Sequence, residues 1–257
     1  MDLSIIIPSF KREELLRWGL TSLSLQKVYS KFEVIVLNEG IEDGTEEVCK
    51  KFKDKLDIKY LFTGKRNTSE LKWRVPGFAI NIGAKQASGR NIIISCPEIY
   101  LIEEDIIQQY INILNSIPKA LVITNGKDDA DSVFLNNLND NSKISLSEIY
   151  DLSARMSFLN TKFPFFLGVN RKEFVNIGGY DEDFVGYCWD DKDIVDRLVW
   201  NGGHYYKVDG RIVHLFHSRV LRPGVGEKQK EWLYNQSLYN QKINQIVRNK
   251  DKAWGVL

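Results

Sequence analysis

Leu3-Ser-Ile-Ile-Ile-Pro-Ser-Phe10 is a short apolar run closed by a proline, the pattern of a buried strand that ends in a loop. Glu13 to Gln26 follows with Leu15, Leu16, Leu20, Leu23 and Leu25, spaced for a helix lying on a sheet face. The pair repeats. Phe32-Glu-Val-Ile-Val-Leu37 reads as a second buried strand before the turn Asn38-Glu-Gly40, and Glu42 to Lys53 as a helix. Ile58 to Phe62 is a third strand. Val75 to Ala87 is a helix with Pro76 in its first turn, where proline is favoured. Asn91 to Ser95 is a fourth strand, ending at Cys96-Pro-Glu98. Strand and helix in alternation predict right-handed crossovers and a mostly parallel central sheet flanked by helices, an α/β fold. Ligands bind such sheets at the carboxyl ends of the strands. The segments falling there are Pro8 to Arg12, Asn38 to Gly40 and Cys96 to Glu98. None is a Gly-rich phosphate cradle.

Composition narrows the function classes. With 257 residues, 43% of them hydrophobic and 27% charged, the chain can bury a real core and is not a disordered one. A net charge of +1 gives no electrostatic pull toward nucleic acid, so that partner is not expected. Cys49, Cys96 and Cys188 are odd in number and lack metal-ligand spacing, which reads as free thiols in a reducing cytosol. The acidic start lacks the pattern of a secretory leader, and no apolar run approaches the roughly 20 residues that cross a bilayer. A soluble, cytoplasmic protein is expected.

Beyond Glu98 the pattern changes. Asp105 to Ile117 reads as a helix and Ala120 to Thr124 as a strand, with the polar stretch Asn125 to Asn141 as a long mobile or functional loop. Phe163 to Val169 is a strand, Arg171 to Asn176 a short helix and Lys192 to Trp200 a longer one. Tyr205 to Val208 and Arg211 to His217 look like two late strands. Glu227 to Asn249 is a polar helical tail that either wraps back on the domain or pairs with another subunit. Between them lies Gly178-Gly-Tyr-Asp-Glu-Asp-Phe-Val-Gly-Tyr-Cys-Trp-Asp-Asp-Lys-Asp193, which mixes acids with flat apolar rings and glycines. Buried carboxylates are costly unless paired or bound to a cation, so this is not a core strand. The mixture suits a cleft that holds a sugar and tunes a carboxylate for proton transfer, the alternative being an acidic surface loop.

Laid out in this order, the chain resembles the nucleotide-sugar glycosyltransferases of the GT-A fold, especially the large family 2, over residues 3 to about 219. Ile5-Ile-Ile-Pro-Ser-Phe-Lys-Arg12 is similar to the family's N-terminal signature, and Phe32 to Gly40 to its second strand, with Asn38 and Glu39 where paired aspartates are usual. Asn81-Ile-Gly83, Ala87 and Gly89 match the helix before the metal-binding turn. Gly178 to Glu182 and Trp189-Asp-Asp191 match the acceptor-side motif that carries the base of inverting members. The resemblance implies a single GT-A domain, 1–257. Within it 1–98 would bind the nucleotide sugar, 99–219 would hold the acceptor and catalytic half, and 220–257 would form the tail.

The resemblance also implies roles. Asp191 would be the general base and Asp190 would orient the acceptor. Donor contacts would come from Pro8, Ser9, Phe10, Arg12, Glu39, Arg74, Asn81, Cys96 and Glu98, and acceptor contacts from Gly179, Tyr180, Tyr187 and Trp189. The other readings are a helix N-terminal acid for Asp191, a turn acid for Glu39, solvated surface for Arg12 and Arg74, and a helix-polar residue for Asn81. One departure stands out: the family's DxD would fall on Cys96-Pro-Glu98, keeping one carboxylate and losing the other to a thiol. Mg²⁺ and Mn²⁺ prefer oxygen, so a divalent ion here would lean on Glu98 and other residues. His217-Ser-Arg219 resembles the point where vertebrate galactosyltransferases supply a late metal-binding histidine. His217 is therefore the expected ligand. Strand alternation would turn His214 to the opposite face, for packing or for support of the ligand; both histidines could instead be satisfied by ordinary hydrogen bonds.

The implied activity is inverting transfer from a nucleoside diphosphate sugar, UDP foremost, to a hydroxyl of a glycan or lipid-linked glycan, as in polysaccharide or surface glycan synthesis. Such an acceptor would bring the chain to the inner face of a membrane, and the tail could support a homo-oligomer. The alternatives are a degenerate relative that binds nucleotide or glycan without turnover, and a sugar-phosphate nucleotidyltransferase. The latter would carry a Gly-rich basic loop that Pro8 to Arg12 is not.

Overall fold

The isoleucines of the opening run face both ways, as a strand covered on both sides requires. The computed structural model describes residues 1–40, 42–64, 75–140, 145–186, 188–218 and 229–257. Strand β1 (Leu3–Ser9) is buried along its whole length. Ile5 and Ile7 pack with Leu16, Leu20 and Val36 on one face, while Ile6 packs with Ile35, Ile80 and Leu121 on the other. Each such side chain contributes about 1.5–3 kcal/mol on full burial, which places this run at the centre of the sheet.

Strands β2 (Phe32–Asn38) and β4 (Asn91–Ser95) flank β1 in parallel, with Leu3 opposite both Phe32 and Asn91, and β3 (Ile58–Phe62) lies parallel outside β2. Helices α1 (Glu13–Ser24), α2 (Thr45–Phe52) and α4 (Ile106–Ser116) cover one face. Helices α3 (Gly77–Gln86), α7 (Arg171–Asn176) and α8 (Asp190–Trp200) cover the other. Helix α1 comes close enough that a Cβ on Gly19 would lie 3.0 Å from the Pro97 carbonyl, so α1 presses directly on the Cys96 to Glu98 turn.

Past β4 the sheet becomes mixed. The order is β3-β2-β1-β4-β8-β6-β9-β5, with β7 (Ser157–Leu159) on β6. Strand β8 (Phe166–Asn170) runs antiparallel to both β4 and β6 (Ala120–Asp128), β9 (His204–His214) is parallel to β6, and the short β5 (Ile99–Leu101) is antiparallel to β9.

Three expectations are corrected here. Asn125 to Asn141 is not a long loop: β6 continues to Asp128, and α5 (Val133–Asp140) follows, buried through Phe134 and Leu138. Asp129 starts that helix by accepting from the Phe134 and Leu135 amides, so its polar look is capping chemistry. The two late strands are one. Strand β9 carries Asp209-Gly210 as extra residues where its register against β6 shifts between Ile123 and Asn125, and Gly210 has φ of +125°. Thr124 and Asn125 side chains donate to the Gly210 carbonyl, so a dipeptide that reads as a turn is a bulge inside a strand. The tail helix α9 (Gln229–Lys242) stops well short of Asn249. Residues 243–257 run on without regular structure, and Arg248, Asn249 and Gly255 bond back onto residues 177–182. Helix α6 (Leu146–Ala154) was not anticipated, although Ser145 and Glu148 form a capping box that the S-x-x-E spacing announces. No helix among the described residues is long and apolar enough to cross a membrane.

Candidate active site

Because β1, β2 and β4 are parallel, their carboxyl ends fall on one edge of the sheet, and a cleft of about 390 Å³ opens there. Pro8, Phe10 and Arg12 come from the end of β1, Glu39 from the end of β2, and Cys96 and Glu98 from the end of β4. The far wall is built from residues past 160: Phe165 before β8, His214 and His217 at and after the end of β9, and Asp191 in the first turn of α8. Residues as far apart in the chain as Pro8 and His217 thus face one space.

The floor is charged. Arg12 Nε donates to Glu98 Oε1 at 3.0 Å, and Arg12 Nη2 stands 3.5 Å from His217 Nδ1. Ligand-type atoms of Cys96, Glu98 and His214 lie within 4.8 Å of one another. His214 Nδ1 stands 3.2 Å from Asp128 Oδ1, a carboxylate that orients the ring. The alternation argument that separated the two histidines fails, because β9 ends at His214 and the chain leaves strand geometry before His217. Their ring centroids are 5.1 Å apart and both line the cleft. His214 groups with Cys96 and Glu98, and His217 stands beside His214. Burial pushes the Cys96 thiol well above its ordinary value, with the Glu98 charge adding to the effect, and burial lowers the His217 imidazole. A carboxylate, a thiol and an imidazole form a donor set that fits a divalent cation of borderline softness and suits Mg²⁺ poorly.

Across the cleft, burial raises Asp191 to about 6, opposed by the Tyr180 hydroxyl, which donates to its Oδ1 at 2.9 Å. That value is suited to a base near neutral pH. Asp190 is buried, and desolvation followed by the Asp191 charge pushes it well above the usual carboxylate range. Its Oδ2 has no hydrogen-bond partner among the described residues. The backbone that delivers the two acids is strained: Cys188 and Trp189 have φ of 64° and 76°, consecutive left-handed conformations that non-glycine residues seldom adopt.

Several expected contacts turn out to be supports. Asn81 is fully buried and its amide is spent on the motif: Oδ1 accepts from the Tyr180 amide at 2.8 Å, and Nδ2 donates to the Tyr180 carbonyl and Glu182. It holds the turn and is not among the residues that line the cleft. Gly179 has φ of +61°, and a Cβ there would meet Asn81 Oδ1 at 2.3 Å, so its glycine serves conformation and close packing. The Tyr180 ring is wholly buried, reaching the cleft only through Asp191. Trp189 packs edge-on against Trp232 and tilted against Tyr239 of α9, away from the cleft. Ser9 is buried behind the cleft, 3.3 Å from the Thr45 hydroxyl. Arg74 and Tyr187 lie outside the described residues.

Residues the sequence reading missed carry much of the framework. Arg197 is completely buried and donates to Asp193 at 2.7 Å and to the carbonyls of Ile177, Gly179 and Ile246. Arg248 reaches Asp193 at 2.8 Å and Asp181 at 3.0 Å, and Lys242 pairs with Asp181 at 2.7 Å. The four-residue spacing of Asp193 and Arg197 is a helix-pair signal visible in the sequence; the arrival of Arg248 is not. The acidic stretch therefore divides. Asp181 and Asp193 are structural anions with buried cationic partners, and only Asp191 opens on the cleft.

Comparison with known families agrees with this geometry. The model for glycosyl transferase family 2 matches residues 4–171, more than half of the chain. The chain belongs to glycosyl transferase family 2. A galactosyltransferase domain model matches residues 157–219, the segment that carries the acidic motif and both cleft histidines. Chondroitin synthase of Escherichia coli is 24% identical over 243 residues, covering 82% of this chain; the chain spans only 34% of that relative's length. Among solved structures, S. aureus TarS 1–349 in complex with UDP superposes with a TM-score of 0.61 at 17% identity, covering 95% of this chain and 66% of that one. A mannosyltransferase of Pyrobaculum calidifontis in complex with GDP-Man and Mn²⁺ gives a TM-score of 0.56 at 14% identity, covering 84% and 57%. This family 2 chain has the GT-A fold.

Proposed function

We propose that this family 2 chain catalyses inverting transfer of a sugar from a nucleoside diphosphate donor to a hydroxyl of a glycan or glycoconjugate acceptor. The observation that carries this reading is one cleft lined both by a carboxylate of raised pKa, Asp191, and by Arg12 with the possible ligand set of Cys96, Glu98 and His214. Asp191 takes the acceptor hydroxyl proton as that oxygen bonds to the anomeric carbon. The bond from that carbon to the donor phosphate oxygen breaks, and its electron pair leaves with the nucleoside diphosphate. Arg12, already on the cleft floor, faces the charge that develops on the leaving group. Glu39, at the end of β2, is placed for the nucleoside. Asp190, buried beside Asp191, would act on the acceptor through its neighbour and not by touching it. Cys96, Glu98 and His214 would hold a divalent cation, with His217 beside them, and that ion would offset diphosphate charge. A lipid-linked acceptor would bring the chain to the inner face of a membrane.

UDP sugars are the first donors to try, since a fold neighbour was solved with UDP. Thermal shift against UDP- and GDP-sugars, paired with release of the nucleoside diphosphate, tests the reading. A matching donor at about 100 times its Kd should stabilise the chain by about 2.7 kcal/mol. No shift with any donor would overturn it. A shift without release, even with acceptor sugars present, would favour the binding-only reading that the Cys96 replacement raises.

The pH dependence has a defined sign. Asp191 acts only when ionised, so turnover should rise with pH through about 6 and level off above it. Tyr180→Phe deletes the hydrogen bond that favours the ionised form, so the acid limb should move to higher pH. A pH–rate profile of the two proteins decides this. An unmoved limb would mean that Tyr180 does not tune the base.

A further inference from the structure

Cys96 stands where a hard oxygen ligand would serve Mg²⁺ or Mn²⁺, yet it shares a pocket with the two other ligand types of a zinc site. We infer that Cys96, Glu98 and His214 form a thiolate-containing site selective for a zinc-class cation over Mg²⁺ and Mn²⁺, with Cys96 bonded directly to the ion. The inference rests on the reading that this cluster is where the donor's cation sits, and it assigns the ion's identity to a single residue of this chain.

Four observations support it. First, the ligand atoms of the three residues already lie within 4.8 Å of one another, so small rotamer changes bring sulfur, nitrogen and oxygen to bonding distance. Second, Glu98 and His214 are only 7% and 6% exposed, so an ion bound there would exchange most of its water for protein ligands, which zinc tolerates and Mg²⁺ resists. Third, the backbone is held on both sides: the Ile99 amide donates to the Cys96 carbonyl, the Leu215 amide donates to the Glu98 carbonyl, and α1 packs against Pro97. Fourth, Asp128 on His214 Nδ1 makes the carboxylate–histidine pair that orients Nε2 for coordination, an arrangement zinc sites favour. Arg12 takes one oxygen of Glu98, and a carboxylate has a second to give. Three protein ligands leave the fourth position of a tetrahedral ion open toward the cleft, where a diphosphate oxygen would enter. Binding converts the Cys96 thiol to a metal thiolate and releases one proton to solvent per ion.

The test uses the full chain stripped of metal and titrated with Co²⁺, a spectroscopic stand-in for zinc. A sulfur-to-cobalt charge-transfer band saturating at one ion per chain is expected, with Zn²⁺ abolishing it and Mn²⁺ leaving it intact. Cys96→Ser should lose the band while keeping the wild-type circular dichroism, and Cys49 and Cys188 remain in that variant as internal controls. Cys96→Asp should narrow the preference for Zn²⁺ over Mn²⁺ by about tenfold or more, read by competition with a chromogenic chelator. Absence of the band, or its persistence in Cys96→Ser, would overturn the inference. Thermal shift with UDP in the same samples separates this from the donor reading. If UDP binds with Mn²⁺ and the band is missing, the zinc assignment falls and the donor reading stands. If the band depends on Cys96 and no nucleotide binds, the metal assignment stands and the donor reading falls.

Discussion

Asp191→Asn is expected to lower turnover about 10²–10⁴-fold while leaving the donor KM close to its wild-type value. The asparagine keeps the size of the side chain and an oxygen for the Tyr180 hydroxyl, but it cannot take a proton. The proposed donor contacts, Arg12, Glu39 and the Cys96 to Glu98 turn, come from other elements lining the cleft, so donor binding has no reason to change. Stability separates this role from a merely structural one. The Asp191 carboxyl has a folded-state value raised to about 6, so its contribution to stability is fully present below its unfolded value and is lost as pH rises through about 6. Removing that charge should leave the melting temperature at pH 8 unchanged or higher. A variant with wild-type turnover would remove Asp191 from the mechanism, and one that loses stability at pH 8 would make it a helix-terminal support.

Arg197→Leu should cost stability heavily, about 3–5 kcal/mol, because it strands a buried anion. Asp193 keeps only its bond to Arg248, and the carbonyls of Ile177, Gly179 and Ile246 lose their shared donor in a space closed to water. In a chain of this size the melting temperature should drop on the order of 10 °C. The double variant Asp193→Leu with Arg197→Leu should recover part of that loss, since no charge then remains without its helix partner. Thermal melts of the three proteins at one pH are sufficient. A single variant that melts within about 2 °C of wild type would show that the network contributes little. The same substitution should also depress turnover, because Gly179 belongs to the turn that presents Tyr180 to Asp191.

The N-terminal part, through β4, was readable because its physics is local. Runs such as Ile5 to Ile7 and Val34 to Leu37 are buried on both faces, and helices of regular spacing separate them, so strand position, direction and the functional edge follow from the pattern alone. The part beyond β4 resisted for a definable reason. Its polar residues serve backbone groups that are remote in sequence or in unusual conformations. Asp129 caps α5, Gly210 bulges β9, and Asn81 fastens a turn that lies 99 residues away. A polar side chain bound to backbone and one awaiting substrate have the same letter in the sequence.

The acidic motif shows the division most clearly. That the 181 to 193 stretch brings a carboxylate to a cleft was legible from its mixture of acids with aromatic rings. Which of them keep a cationic partner was not, since that depends on residues arriving from elsewhere: Lys242 and Arg248 neutralise Asp181, Arg197 and Arg248 neutralise Asp193, and among the described residues the Tyr180 hydroxyl meets Asp191. The ligand cluster follows the same rule. Cys96 and Glu98 could be read as neighbours, whereas the choice of His214 beside them depended on where β9 ends. Hydrophobic period and turn chemistry sufficed for the class of fold and the edge where ligands gather, because both act over a few residues. The partners and burial of individual acids and histidines came only with tertiary structure, because pairing and desolvation depend on contacts that sequence distance does not encode.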